Sequence, residues 1–123
     1  MSQEGAQPRE LFSAYKVKGG SIIMLSIDGR GVGMLNLIPN PQYPGADFIT
    51  NFLINEKYRN KGYGTKLLQF ALTQCRKRYQ VLELDLANPL AQSLYERNGF
   101  VAVERLVNIL GPYLVMRRDS RPV

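Results

Sequence analysis

The stretch "YRNKGYGTKL", residues 58–67, sets two glycines between an apolar strand-like run and a run with helical spacing. Upstream, "ADFITNFLI" at 46–54 reads as a strand; downstream, Leu67, Leu68, Ala71, Leu72 and Cys75 recur at helical intervals. Lys66, Gln69, Thr73, Arg76 and Lys77 fall mostly on the other side, which predicts a helix over 63–78. Its basic end, Arg76 to Arg78, suits the negative pole of the helix dipole. The first turn of such a helix has N–H groups without internal partners, and Gly62 and Gly64 put no side chains in front of them. A phosphate can approach those donors at the positive end of the dipole, and a diphosphate suits the geometry best; the plain alternative for the two glycines is a tight turn that binds nothing. "GYGTK" lacks the P-loop spacing, and Leu67 stands where the dinucleotide fingerprint needs its third glycine.

Working outward, "SIIMLSI" and "VGMLNLI" are two apolar runs joined by "DGRG", the chemistry of a hairpin turn. "PNPQYPG", with three prolines, is a loop that no helix or central strand absorbs. "VLELDLA" alternates through Leu82, Leu84 and Leu86 as a strand does. Asn88 and Pro89 then form an N-cap and first helical residue, "NG" at 98–99 supplies a stop, and Ala91, Leu94 and Tyr95 share one face between them. "FVAVERLV" and "YLVMRRD" are two further strands separated by a "GP" turn. Residues 1 to about 19 show no sustained period, and "VKGG" reads as a loose lead-in. The strand–helix–strand unit closes a parallel pair by a right-handed crossover, whereas the flanking hairpins are antiparallel. The expected fold is therefore α/β (α+β): a mixed, mostly antiparallel central sheet with helices packed on it. The expected organisation is an N-terminal segment at 1–20, partly irregular, one domain at 21–119 and a tail at 120–123.

A chain of 123 residues with 45% hydrophobic and 21% charged residues has the profile of a single soluble globular domain. Its start, "MSQEGAQPRE", is neither a secretory signal nor a transit peptide, and no apolar run approaches the roughly 18 residues of a membrane span. Cys75 is the only cysteine and histidine is absent, which excludes an intrachain disulfide, a zinc site and a histidine base. A reducing, cytoplasmic setting follows as the expectation. The net charge of +6 favours anionic partners.

"YRNKGYGTKLL" resembles the Arg/Gln-x-x-Gly-x-Gly/Ala motif of the GNAT superfamily, the acetyl-CoA-dependent N-acyltransferases, with Arg59, Gly62 and Gly64 at the motif positions. "LELDLANPLAQSLYERNGF", residues 82–100, resembles the same family's second signature through Asn88, Ala91, Leu94, Tyr95, Gly99 and Phe100. The two stand in the right order and at the right separation, and the likeness covers roughly residues 21–119. The resemblance implies a GNAT-like sheet whose parallel pair is splayed, with a shortened N-terminal part. It also implies an N-acetyltransferase that moves an acetyl group from acetyl-CoA to a primary amine by direct attack. On that pattern the run Arg59, Asn60, Lys61, Gly62, Tyr63, Gly64 and Thr65 wraps the pyrophosphate of coenzyme A. The main chain of Phe52, Leu53 and Ile54 pairs with the pantetheine arm, Asn88 contacts the same arm, and the Tyr95 hydroxyl points at the thioester sulfur. Asn88 also has a plain reading as an N-cap, Tyr95 as a core aromatic, and Arg76, Lys77 and Arg78 as either a solvated helix end or a contact to the ribose phosphate.

Acyl transfer to an amine needs a neutral nucleophile, a place for the oxyanion and a proton for the leaving thiolate. A tyrosine, with a pKa of about 10, is protonated at neutral pH and can be the acid. Strand amides near Leu53 are candidates for the oxyanion, and Cys75, on the apolar helix face, reads as core rather than nucleophile. Many family members place a glutamate on the strand before the Gly-rich loop, where this chain has Thr50 and Asn51. The base is left among water held by Thr50 or Asn51 and the carboxylates Asp47, Glu83 and Asp85. Family members also carry a strand and one or two helices before the hairpin, where about twenty residues precede Ser21 here. The acceptor, a small molecule or peptide, then meets a cleft that is open, suiting a protein or peptide substrate, or covered by a second subunit in a homodimer, or part of a trimmed domain without acceptor specificity. The basic balance favours acidic peptides or phosphorylated small molecules as acceptors. The alternatives are a non-catalytic acyl-CoA-binding module and a basic nucleic-acid-binding domain; against the latter, the aromatics form no stacking pattern and the charges no long stripe.

Overall fold

The structure, a computed structural model, describes residues 7–86 and 88–120. Strands β1 (Glu10–Val17), β2 (Gly20–Ile27), β3 (Arg30–Ile38) and β4 (Ala46–Ile54) lead through a short 3₁₀ turn at Glu56–Tyr58 into helix α1 (Tyr63–Gln74). Strand β5 (Tyr79–Asp85), helix α2 (Pro89–Arg97), and strands β6 (Val101–Asn108) and β7 (Gly111–Asp119) follow. The strands form one sheet in the order β1-β2-β3-β4-β5-β7-β6, in which β4–β5 is the one parallel pair. This is the mixed, mostly antiparallel sheet that the sequence predicts.

The turn chemistry read from the sequence explains most of the joints. Between β2 and β3, Asp28 and Gly29 have φ of 49° and 79°, the two positive values that a tight hairpin turn requires. At α2, Asn88 Oδ1 accepts from Ala91 N at 3.2 Å, Pro89 takes the first helical position, and Gly99 at φ 91° ends the helix.

The structure differs from the sequence reading in three places. The 1–20 segment contains β1, which pairs with β2 along its whole length; its Phe12 stacks on Phe70 of α1 at 5.1 Å and its Glu10 meets Lys66 at 2.7 Å. Helix α1 stops at Gln74, so Arg76, Lys77 and Arg78 are not a helix end. Long-range bonds draw that segment away: Lys77 N donates to Asp47 Oδ2 at 3.0 Å, and Ser120 N donates to Arg78 O at 2.9 Å. The β6–β7 turn is made by Ile109 and Leu110 rather than by "GP", with Asn108 Oδ1 accepting from Leu110 N at 2.8 Å. Ala87, read as the end of its strand, lies outside the described residues.

Both helices pack on the same face of the sheet. Ile23, Leu25, Leu35, Leu82 and Met116 lie beneath Leu67, Leu68 and Ala71 of α1 and Tyr95 of α2. Burying each of the leucine, isoleucine and methionine side chains is worth about 1.5–3 kcal/mol, so this layer holds the domain together. On the other face Ala46, Phe48, Val81 and Val115 form a smaller cluster with Tyr43, Tyr79, Leu106 and Tyr113, and no helix of the described residues covers it. No helix among the described residues is long and apolar enough to cross a membrane.

Candidate functional site

The parallel pair comes apart. Strands β4 and β5 pair only through Ala46↔Tyr79, Asp47↔Gln80 and Phe48↔Val81, although β4 continues to Ile54 and β5 to Asp85. The cause lies on the other edge of β4, where Met34 pairs with Leu53 and Asn36 with Thr50, so that Asn51 and Phe52 together oppose the single residue Leu35. Asn51 takes φ of 53°, a conformation asparagine tolerates better than most side chains. Such a bulge bends its strand, and β4 follows β3 away from β5. A cleft of about 510 Å³ opens between them, bounded by Thr50, Asn51, Phe52 and Ile54 of β4, Glu83 of β5, Gly64 of α1, and Asn88 and Tyr95 at α2.

The Gly-rich loop leads into α1, whose Gly64 lines this cleft. Arg59 Nε donates to Ile54 O at 2.9 Å, folding the loop back onto the end of its own strand. Asn60 at φ 62° and Gly62 at φ 85° then turn the chain into α1. Gly62 is the N-cap and provides no side-chain acceptor, and the first turn holds no acidic residue. The N–H groups of Tyr63, Gly64 and Thr65 are therefore at the positive end of the helix without a partner from the helix itself. Gly64 is already helical, so alanine there would favour the helix by about 1 kcal/mol. Its added Cβ would meet Ile54 Cγ1 and Phe52 Cζ at 3.8 Å and Leu94 Cδ2 at 3.9 Å, ordinary contacts. Neither backbone nor packing requires glycine at 64; what it keeps open is the space in front of the helix terminus.

Tyr95 faces the same space from α2. It is 8% exposed, with its ring edge-on to Phe100 at 5.7 Å and tilted on Phe52 at 6.2 Å. Its hydroxyl has no protein hydrogen-bond partner among the described residues and opens into the cleft rather than being sealed in the core. Burial pushes its phenol up to about 12, so it stays a proton donor throughout the neutral range.

Among the described residues, Glu83 is the one carboxylate lining the cleft, and its Oε2 accepts from Tyr43 Oη at 2.7 Å. Asp47 lies elsewhere, its Oδ2 bonded to Lys77 N and to Gln80 Nε2 at 3.3 Å. Asp85 borders a neighbouring depression that also includes Glu83. Thr50 and Asn51 line the cleft but carry no basic group.

Of the residues the sequence singled out, Phe52, Ile54, Gly64, Asn88 and Tyr95 converge on the cleft. Arg59, Asn60, Lys61, Gly62, Tyr63 and Thr65 form the loop and first turn beside it. Leu53 is 55% exposed and its side chain borders a separate apolar hollow with Met24 and Met34. Arg76, Lys77 and Arg78 lie beyond the far end of α1, about 18 Å from its N-terminus. Burial, with Asp47 nearby, pushes the Cys75 thiol up to about 12, and Sγ donates to Ala71 O at 3.5 Å, so it is a poor nucleophile. Sequence reasoning did not foresee the bulge at Asn51 or the Tyr43–Glu83 bond. An asparagine in mid-strand was the only local hint of the first, and no local signal announces the second.

Among the described residues, the sheet opens between its one parallel pair of strands, and an uncapped helix terminus and a tyrosine hydroxyl without a protein partner face the opening. Residues 2–100 match the model of the acetyltransferase (GNAT) family, and the chain belongs to that family. No curated protein sequence matches it. Solved structures of the same fold include the ribosomal-protein alanine N-acetyltransferase of Escherichia coli, at TM-score 0.75 and 16% identity over 88% of this chain and 74% of that one. A GNAT family acetyltransferase from Elizabethkingia anophelis with acetyl-CoA bound has TM-score 0.75 and 16% identity over 83% of this chain and 77% of its own. An acyl-CoA N-acyltransferase from Pseudomonas aeruginosa has TM-score 0.65 and 25% identity, covering 80% and 68% respectively.

Proposed function

We propose that the protein is an acetyl-CoA-dependent N-acetyltransferase that acts on a primary amine by direct attack. The observation that carries this reading is the cleft at the β4–β5 splay, which the α1 terminus and the Tyr95 hydroxyl both face. Acetyl-CoA, when bound, supplies a thioester whose acetyl carbon forms the new C–N bond as its C–S bond breaks. The run from Arg59 to Thr65 offers backbone N–H groups and the helix pole to a diphosphate. Beyond Phe48, the β4 edge that faces the splay has no β5 partner, so the main chain of Phe52, Leu53 and Ile54 can pair with an amide-bearing arm as a neighbouring strand would. Asn88 Oδ1 is committed to capping α2, which leaves its amide N–H groups for the same arm.

Tyr95 donates its phenolic proton to the departing sulfur. Glu83 takes the proton lost by the amine, directly or through one water, while Tyr43 fixes one of its two oxygens. Glu83 thereby fills the role for which β4, with Thr50 and Asn51, has no side chain. The test is release of free CoA thiol from acetyl-CoA with a panel of primary amines. Protein-dependent, amine-dependent release is expected. Acetyl-CoA binding without release under any amine would identify a non-catalytic acyl-CoA-binding module, and absence of both would overturn the reading.

A further inference from the structure

The segment that follows α1 borders a second cavity. Where the helix stops, the bond from Lys77 N to Asp47 Oδ2 holds the chain near the β1–β2 turn, and Lys16, Arg76 and Lys77 together line a space of about 430 Å³. It shares no residue with the cleft at the β4–β5 splay and lies at the opposite end of α1.

Its charge comes from two parts of the chain. The register sets Lys16 of β1 opposite Ser21 of β2, and Ser21 opposite Leu37 of β3, in one row on the face that carries the helices. Arg76 and Lys77 come from the segment after α1. Among the described residues, none of these three cationic side chains has an ion-pair or hydrogen-bond partner. The lining also includes the Asp47 carboxylate, whose Oδ2 is taken by Lys77 N and Gln80 Nε2, with Arg118 Nη1 donating to Gln80 Oε1 at 2.9 Å behind it. Three cations against one carboxylate leave the lining with a formal charge of +2. At the end of α1, Ala71 O and Leu72 O are occupied by Cys75, which blunts the negative pole of the helix.

A separate observation points to a ligand in this space. Ser21 is more than nine-tenths buried, and its hydroxyl has no partner among the described residues. Ser21 lines the cavity, so an oxygen seated there is the partner its hydroxyl lacks.

We infer that this cavity binds the phosphoryl group of a small phosphate monoester. Such a group carries about −1.5 to −2 at neutral pH and matches the charge of the lining, whereas a carboxylate supplies about half of it. Arg76 offers paired N–H donors, Lys16 and Lys77 compact charges, and Ser21 a hydroxyl. The space is larger than a bare phosphate ion, and Leu37 and Pro39 give an apolar wall to the organic remainder. The inference does not depend on acetyl transfer at the other end of α1.

The test is calorimetric titration of phenyl phosphate, benzoate and inorganic phosphate into the protein at neutral pH and fixed ionic strength. The wild-type protein is expected to bind phenyl phosphate at least about tenfold more tightly than either of the others, and less tightly as salt rises. Affinity is expected to fall at least about tenfold in the double variant Lys16→Gln, Arg76→Gln, and about threefold to tenfold in Ser21→Ala. No binding to the wild-type protein, benzoate or inorganic phosphate bound as tightly as phenyl phosphate, or full affinity in the double variant would each overturn the inference. Amide chemical shifts of the wild-type protein give a readout that needs no variant. Changes on adding phenyl phosphate that centre on Ser21, Arg76 and Lys77 support the site, and changes that centre on residues 62–65 instead overturn it.

Discussion

The two faces of the sheet are drawn from the same strands and have opposite fates. On β2, Ile23 and Leu25 are fully buried beneath α1, while Met24 between them is 39% exposed on the other side. The same alternation leaves Leu11, Tyr15 and Val17 of β1 in solvent although Phe12 is packed on Phe70. Residue type does not separate these sets; what lies on top of each face does. The covered face holds the helix terminus and Tyr95 in fixed positions, as the proposed reaction requires. The open face leaves a second molecule free to approach, and the splay of β4 from β5 is where the two sides meet.

Breaking the covered side is expected to have the largest effect. Tyr95→Phe removes the cleft-facing donor without disturbing the packed ring, so kcat should fall by about 10³-fold while acetyl-CoA affinity holds, measured by turnover and calorimetry. On the open side, Glu83→Gln should lower kcat/KM for the amine by about 10²-fold, because water can replace part of a base's role. The third difference concerns stability. The phenol of Tyr95 is raised in the folded state from 10 to about 12. A raised folded pKa gives stability that is fully present below pH 10 and lost as pH climbs through about 12, roughly 2–3 kcal/mol for a shift of this size. Cys75, raised from 9.0 to about 12, acts in the same direction from a slightly lower pH. Denaturant titrations across this window should therefore show alkaline destabilisation that is smaller in Tyr95→Phe. The smallest effect is Asn88→Ala, which removes the α2 cap and should lower stability by about 1 kcal/mol in a thermal melt.

Local chemistry made much of the fold legible. Asp28 and Gly29 specify a hairpin turn, Asn88 and Pro89 start a helix and Gly99 stops it, because each acts through backbone conformations that few other residues adopt. What escaped is set by partners far along the chain. Nothing between Cys75 and Arg78 forbids helix; Asp47, thirty residues before Lys77, ends α1 by taking the Lys77 amide. Strand β1 shows no period because Leu11 and Phe12 are both apolar while only Phe12 faces a helix. The candidate site divides in the same way. Gly62, Gly64, Asn88 and Tyr95 stand out in the sequence as motif residues. In the sequence Glu83 is one of several acids; the bond from Tyr43, forty residues away, sets it apart at the cleft.

The central claim is that Gly64 keeps the front of α1 open for acetyl-CoA. Calorimetric titration of acetyl-CoA into the wild-type protein and into Gly64→Glu, with circular dichroism to verify that both are folded, tests it most directly. Saturable binding to the wild-type protein that the glutamate weakens by 10²-fold or more is the expected result. Equal binding to both folded proteins, or none to the wild type, would contradict it.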